Sequence, residues 1–202
     1  MKKILKTLID YSLFEKYDKD YFINNKILPL FENDISIKMA VCKNSKLETI
    51  KNDFNKVISF LEIDELELLF MISHIDQKTL LYSMALKAIS QNSFEKYVDK
   101  FLQELLSFSI NLRASDIHIE QYKDVILFKF RIDGRLKTFF AFYSEFFKLI
   151  SSYIKLISTL DMTQIRLPQD GRFALNIEDK KYHFRVSTMP TLEAESIVLR
   201  IL

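Results

Sequence analysis

The sequence predicts a chain of α/β class, of the α+β kind, built as two small domains that meet near residue 92. Three observations carry this. Apolar residues make up 49% of the 202, enough to pack a core. The polar segment Ser90-Gln91-Asn92-Ser93 interrupts the chain near its middle. Beyond it, apolar residues recur with a helical period and then with a period of two, the mark of a helix leading into a half-buried sheet. The expected domains are therefore 1–92 and 93–202.

In the first domain, residues 2–14 and 18–24 mix apolar and charged positions as short helices do. Residues 27–31 and 35–41 are apolar runs separated by Glu32-Asn33-Asp34, which predicts a hairpin. Ser45, with Glu48 three positions on, is a capping-box signature for a helix reaching about residue 56. A strand at 57–63 and helices at 64–75 and 77–89 complete the domain. In the second, Phe94, Tyr97, Val98, Phe101, Leu105, Phe108 and Leu112 form one helical stripe. Phe128, Phe130 and Ile132 then alternate with Lys129, Arg131 and Asp133, as on a half-buried strand. Asp133-Gly134 suits a tight hairpin turn, whose two central residues both favour positive φ, and the return strand is 135–140. A helix follows, with Phe146, Leu149, Ile150, Tyr153, Ile154 and Ile157 on one face. Strands are expected at 172–177, around Tyr182, Phe184 and Val186, and at 197–202.

Composition excludes several functions. Only Gly134 and Gly171 are glycines, where average usage would give roughly fourteen. Neither a G-x-x-x-x-G-K-[ST] phosphate loop nor a G-x-G-x-x-G turn can be written with them. A net charge of +2 leaves no electrostatic footprint for nucleic acid. The single cysteine, Cys42, forms neither a disulfide framework nor a cysteine zinc site, and three scattered histidines make no metal centre. Lys6 and Asp10 interrupt the opening apolar stretch, and no run of eighteen apolar residues occurs, so a cytoplasmic location is the expectation.

Two groups of residues could carry chemistry. Ser115-Asp116-Ile117-His118-Ile119-Glu120 is the densest polar cluster in an apolar setting. On a strand, Asp116 and His118 share a face. Asp116 could orient His118 as a base, or Ser115, Asp116 and His118 could form a structural hydrogen-bond network, and no positioned nucleophile favours the first. The second group is arginine. Asp133-Gly134-Arg135 and Asp170-Gly171-Arg172 read as two turns that each launch an arginine into a strand. Arg166, Arg172, Arg185 and Arg200 crowd the last forty residues, each beside apolar positions. Their planar forks suit phosphate, and equally suit carboxylates on a sheet surface.

Five segments carry a resemblance. They are Arg113-Ala114-Ser115-Asp116-Ile117-His118-Ile119-Glu120, Phe130-Arg131-Ile132-Asp133-Gly134, Arg166-Leu167-Pro168-Gln169-Asp170-Gly171-Arg172, Arg185-Val186-Ser187-Thr188-Met189-Pro190-Thr191 and Val198-Leu199-Arg200-Ile201-Leu202. In this order they closely resemble the second N-terminal domain of the type II secretion and type IV pilus assembly ATPases. Ile27-Leu28-Pro29-Leu30-Phe31 and the hairpin and helix after it resemble, more weakly, the first N-terminal domain of that family. Gln121 replaces a usual proline and Ala194 a usual glycine, both expected in loops.

The resemblance implies that this is the N-terminal part of a hexameric motor whose C-terminal RecA-like domain holds ATP and Mg²⁺. The second domain, PAS-like in layout with a mainly antiparallel sheet and packed helices, would close over that nucleotide. Arg172 and Arg185 would reach its phosphates as catalytic arginines, with Arg166 and Arg200 as further nucleotide contacts. The first domain would dock an inner-membrane platform protein, keeping a cytoplasmic protein at the membrane periphery. No cyclic dinucleotide is expected, because the Arg-Leu-Gly signature for it is missing near Lys6-Thr7-Leu8-Ile9. The chain alone is expected to be inactive. A stand-alone adaptor and a PAS-like sensor are the alternatives, and secretion, pilus and DNA-uptake machines share these motifs.

Overall fold

The computed structural model describes residues 8–47, 54–90, 94–192 and 195–202. The chain divides into two compact units, Met1–Tyr82 and Ser83–Leu202. Residue 92, the expected junction, lies outside the described residues. The fold is α+β, with two sheets that are mostly antiparallel.

Unit 1 opens with helices α1 (Leu13–Lys16) and α2 (Lys19–Asn25). Part of the expected 2–14 helix falls outside the described residues. Where it is described, the Asp10 carboxylate accepts from the backbone N–H and the hydroxyl of Ser12, a local turn that competes with helix until residue 13. Strands β1 (Ile27–Glu32) and β2 (Ser36–Val41) form the expected hairpin, its turn fixed by Asn33 Oδ1 accepting from the N–H groups of Ile35 and Ser36. β3 (Val57–Glu62) pairs parallel to β2, and a parallel neighbour needs a crossover of the kind that 42–56 is long enough to supply. Residues 48–53 of the helix expected there lie outside the described residues, and 54–56 are not helical.

Helix α3 (Glu65–Ile72) is capped by Asp64, whose carboxylate accepts from Leu66 and Glu67 N–H. Helix α4 (Ile75–Ser90) follows after a break at His74, whose φ of 58° ends α3. The division between the units falls inside α4. Lys78 is fully buried and donates to the carbonyls of Phe70 and Met71 at 3.0 Å each, so it closes the C-terminal end of α3. Burial pushes its amine down to about 7.

Unit 2 contains helix α5 (Phe94–Asn111), strands β4 (Asp116–Tyr122), β5 (Val125–Ile132) and β6 (Arg135–Tyr143), helix α6 (Glu145–Ile157), and strands β7 (Gln169–Ile177), β8 (Lys180–Pro190) and β9 (Glu195–Ile201). All six strands are antiparallel in the order β6-β5-β4-β9-β8-β7, so the last strand inserts at the centre. One face of the sheet carries an aromatic core. Phe101 of α5 lies 5.2 Å from Phe128 and 4.7 Å from Phe146 of α6, and Phe130, Phe140, Phe142 and Phe184 are also buried. Asp133 and Gly134 take φ of 49° and 75°, the expected hairpin turn. The β7–β8 hairpin uses the same geometry without glycine, at Glu178 and Asp179.

Two loop readings are corrected. Asp170 and Gly171 are not a turn: both lie within β7. Gly171 is required by close approach, since a Cβ there would sit 2.9 Å from the Ser158 carbonyl oxygen and 2.9 Å from the Leu160 side chain. Gln121 likewise lies in β4, paired with Ile126, and Ala194 lies outside the described residues. The segment between α6 and β7 is pinned by the buried pair Lys155–Glu195 at 2.6 Å, with Lys155 also donating to the Gln164 carbonyl. Gln169 closes it from β7, accepting from Asp161 N–H and donating to the Asp161 and Gln164 carbonyls. Because a backbone oxygen cannot swing away, Gly171→Ala is expected to cost about 1–3 kcal/mol in a urea unfolding titration. A variant as stable as the parent contradicts this account of the glycine.

Candidate functional site

The cross-strand register brings the arginines together. In antiparallel strands, residues directly opposite one another share a face. Arg172 of β7 faces Arg185 of β8, Arg185 faces Arg200 of β9, Arg200 faces Asp116 of β4, and Asp116 faces Arg131 of β5. Five strands thus contribute one continuous row, at about 4.8 Å per step. Its neighbours along each strand explain its placement. Phe173, Phe184, Val186, Leu199, Ile117 and Phe130 are buried on the other face, so period-two alternation sends the charged residues outward.

The row has a fixed end and an open end. Asp116 is buried and accepts from Ser115 Oγ at 2.8 Å and Arg200 Nε at 2.8 Å, with Arg131 Nε at 3.3 Å. Burial works against its charge, yet hydrogen bonds from Arg200 and Ser115 and the fields of both arginines outweigh it and hold the carboxyl below the usual aspartate range. At the other end, Arg172 and Arg185 line a cleft of about 240 Å³ together with Asp170 and Gly171. Asp170 Oδ1 accepts from Ser187 Oγ at 2.7 Å and Arg185 Nη2 at 3.2 Å, and these bonds keep it below its usual range. Arg172 has no ion pair or hydrogen bond from its side chain among the described residues.

Other expected site residues fall differently. Arg166 is exposed in the segment before β7, outside the row, its N–H bonded to Gln164 Oε1. His118 shares the open face with Asp116 but bonds to neither Asp116 nor Ser115 among the described residues. Its Nδ1 lies 3.9 Å from Glu120 Oε1, and burial holds the imidazole below its usual range against the pull of Glu120. Glu120 in turn accepts from Lys129 of β5. No Asp–His–nucleophile arrangement is assembled at Asp116, since its oxygens are taken by guanidinium groups and the Ser115 hydroxyl. Among the described residues, no group of three or more His, Cys, Asp and Glu side chains is placed to hold a metal ion. None of their helices is long and apolar enough to cross a membrane.

Arg131, Asp170 and Ser187 belong to the row and its cleft although the motif reading gave them no role. A signal for two of them existed. Once the β7–β8 turn is placed at Glu178-Asp179, counting outward pairs Asp170 with Ser187 and Arg172 with Arg185. The local sequence marks that turn only weakly, by Asp179 and the gap between the two expected strands, because it carries no glycine or asparagine.

Replacing Asp116 by Asn keeps shape and removes charge. Because both arginines stay partly solvated, Asp116→Asn is expected to cost about 1–2 kcal/mol of unfolding free energy at pH 7. The folded carboxyl titrates below its unfolded value, so its contribution is complete above pH 3.8 and is lost as pH falls through the lower folded value. The difference between parent and variant, followed by urea unfolding, therefore persists at pH 5 and closes only in stronger acid. A gap already closed at pH 5 contradicts the pairing.

Comparisons with known proteins agree on one family. The family described as "Type II/IV secretion system protein" matches residues 90–202. The type II secretion system protein E of Aeromonas hydrophila is 41% identical over 103 residues, 51% of this chain and 21% of that protein. The type II secretion system ATPase E of Vibrio cholerae is 38% identical over 103 residues, 51% of this chain and 20% of that protein. The chain thus spans about a fifth of the length of these relatives. The X-ray structure of the Legionella pneumophila ATPase DotB aligns with 50% of this chain and 28% of its own at 20% identity and a TM-score of 0.40, too slight a likeness to build on. With more than half of its length matched, the chain belongs to the type II/IV secretion system protein family.

Proposed function

We propose that this chain supplies the two N-terminal domains of a hexameric traffic ATPase for secretion or pilus assembly, and that unit 2 presents Arg172 and Arg185 to ATP held by a RecA-like motor domain. The observation that carries this reading is the open end of the row, where one arginine without a partner among the described residues and one held by an exposed carboxylate line the same cleft. Guanidinium forks match phosphate oxygens, and the carboxylate at the cleft, Asp170, is already engaged by Arg185 and Ser187, so Mg²⁺ is assigned to the motor domain. When bound, magnesium ATP provides the phosphoryl group that is transferred to water. Arg172 and Arg185 would lie against its oxygens and neutralise the charge that develops during transfer, a positioning and electrostatic role. Arg200, paired with Asp116, would support the row from behind. The resemblance of the first domain supports unit 1 as the dock for an inner-membrane platform protein, with the whole at the cytoplasmic face of that membrane.

Both arginines are more than half exposed or on the open face, so removing them tests function apart from folding. In the full-length motor, Arg172→Ala or Arg185→Ala is expected to cut ATP turnover by about 10²–10³-fold with an unchanged unfolding midpoint. Unchanged turnover returns both arginines to ordinary sheet surface. The 202-residue chain alone is expected to show no turnover.

A further inference from the structure

The row carries four arginines and, with Asp170, two aspartates, but the two carboxylates are held in very different ways. Asp116 has side-chain exposure of 5% and is bound by two guanidinium groups and a hydroxyl. Asp170 has side-chain exposure of 62% and is bound through one oxygen only, by Arg185 and Ser187. It sits in the wall of the cleft that Arg172 and Arg185 share. Like charges directly opposite on paired strands repel, and the carboxylate in the cleft, Asp170, offsets that at Arg185, to which it is bonded. A carboxylate oxygen accepting from an arginine and a hydroxyl is the contact that a phosphate oxygen would make in the same place.

We propose that Asp170 is an internal stand-in for phosphate: its carboxylate holds Arg185 in the cleft and yields that arginine when an oxyanion bridges Arg185 and Arg172. This rests on the reading of the cleft as a phosphate site and adds how that site is kept closed. Arg185 is kept extended along the row while no phosphate is present, and the incoming anion must outcompete a tethered carboxylate for it. A polyphosphate, with several charges, does so; a lone carboxylate does not. The same competition favours release once phosphate charge leaves the cleft, because Asp170 is always at hand to take Arg185 back. Asp116, buried and bound on three sides, cannot exchange in this way and keeps Arg200 and Arg131 fixed throughout.

The test is a titration of tripolyphosphate into the 202-residue chain at low salt, followed by calorimetry, for the parent and three variants. Asp170→Asn keeps the shape, removes the competing charge, and is expected to bind about three- to tenfold more tightly. Ser187→Ala, which keeps the charge but loosens its anchor, tightens binding by a smaller factor. Arg172→Ala weakens it, and does so in the Asp170→Asn background as well. If Asp170→Asn binds no more tightly while Arg172→Ala still weakens binding, the stand-in is refuted and the phosphate reading survives. If Ser187→Ala weakens binding, its hydroxyl belongs to the anion and not to Asp170, which also refutes the stand-in. If no form binds tripolyphosphate, or if Arg172→Ala changes nothing, the stand-in is refuted, while the phosphate reading is decided separately by ATP turnover of the full-length motor.

Discussion

The two faces of the second sheet are coupled, and the arginines have their positions because of the core behind them. Phe184, Val186, Leu199, Ile117 and Phe130 are buried on one face. Arg185, Arg200, Asp116 and Arg131 are the residues between or beside them, and alternation leaves them only the other face. A slip of one residue between strands would bury these charges and expose the aromatic side chains at the same time. The cost of that exchange is set by the core, so the row is as rigid as the packing of α5 and α6 against the sheet. Gly171 shows the coupling in one residue, since it lies one position before Arg172 and faces the Ser158 carbonyl with no room for a Cβ.

Electrostatics then grades the row from one end to the other. At β4, a buried carboxylate accepts from Arg131 of β5, Arg200 of β9 and a hydroxyl, so both arginines are tied to it. At β8, Arg185 is shared with an exposed carboxylate. At β7, the edge strand, Arg172 faces solvent without a partner among the described residues. Strand order therefore places the least committed arginine where another domain can reach it. An edge strand exposes unpaired backbone groups, and β7 limits that hazard with charge and with the segment pinned by Lys155, Glu195 and Gln169.

Much of this architecture is legible in the sequence because the local signals agree with the fold. The period-two runs around Phe128 and Phe184, the Asp133-Gly134 turn and the stripe beginning at Phe94 all appear as strands, turn and helix. The readings that fail do so for identifiable reasons. Asp-Gly at 170–171 looks like a turn, but the glycine is there for a close approach that only the folded chain reveals. The Glu178-Asp179 turn lies between two expected strands but carries no glycine to fix its place, and the Asp-Gly at 170–171 hides the start of β7, so the register of β7 with β8, and with it the roles of Asp170 and Ser187, is not visible beforehand. His118 looks like a partner for Asp116 from spacing alone. In three dimensions Arg131 of β5 and Arg200 of β9, on the two strands flanking β4, claim that carboxylate, and Arg200 stands 84 residues from it in sequence.

The central claim is that the open end of the row meets nucleotide phosphate. A cryo-electron microscopy structure of the full-length protein with ADP and a metal-fluoride mimic of the transferring phosphoryl group tests it most directly. The account predicts guanidinium nitrogens of Arg172 and Arg185 within about 3 Å of the mimic or of phosphate oxygens, with Arg200 still bound to Asp116. A catalytically engaged subunit in which both arginines face solvent, or bind only carboxylates of a neighbouring chain, would contradict it.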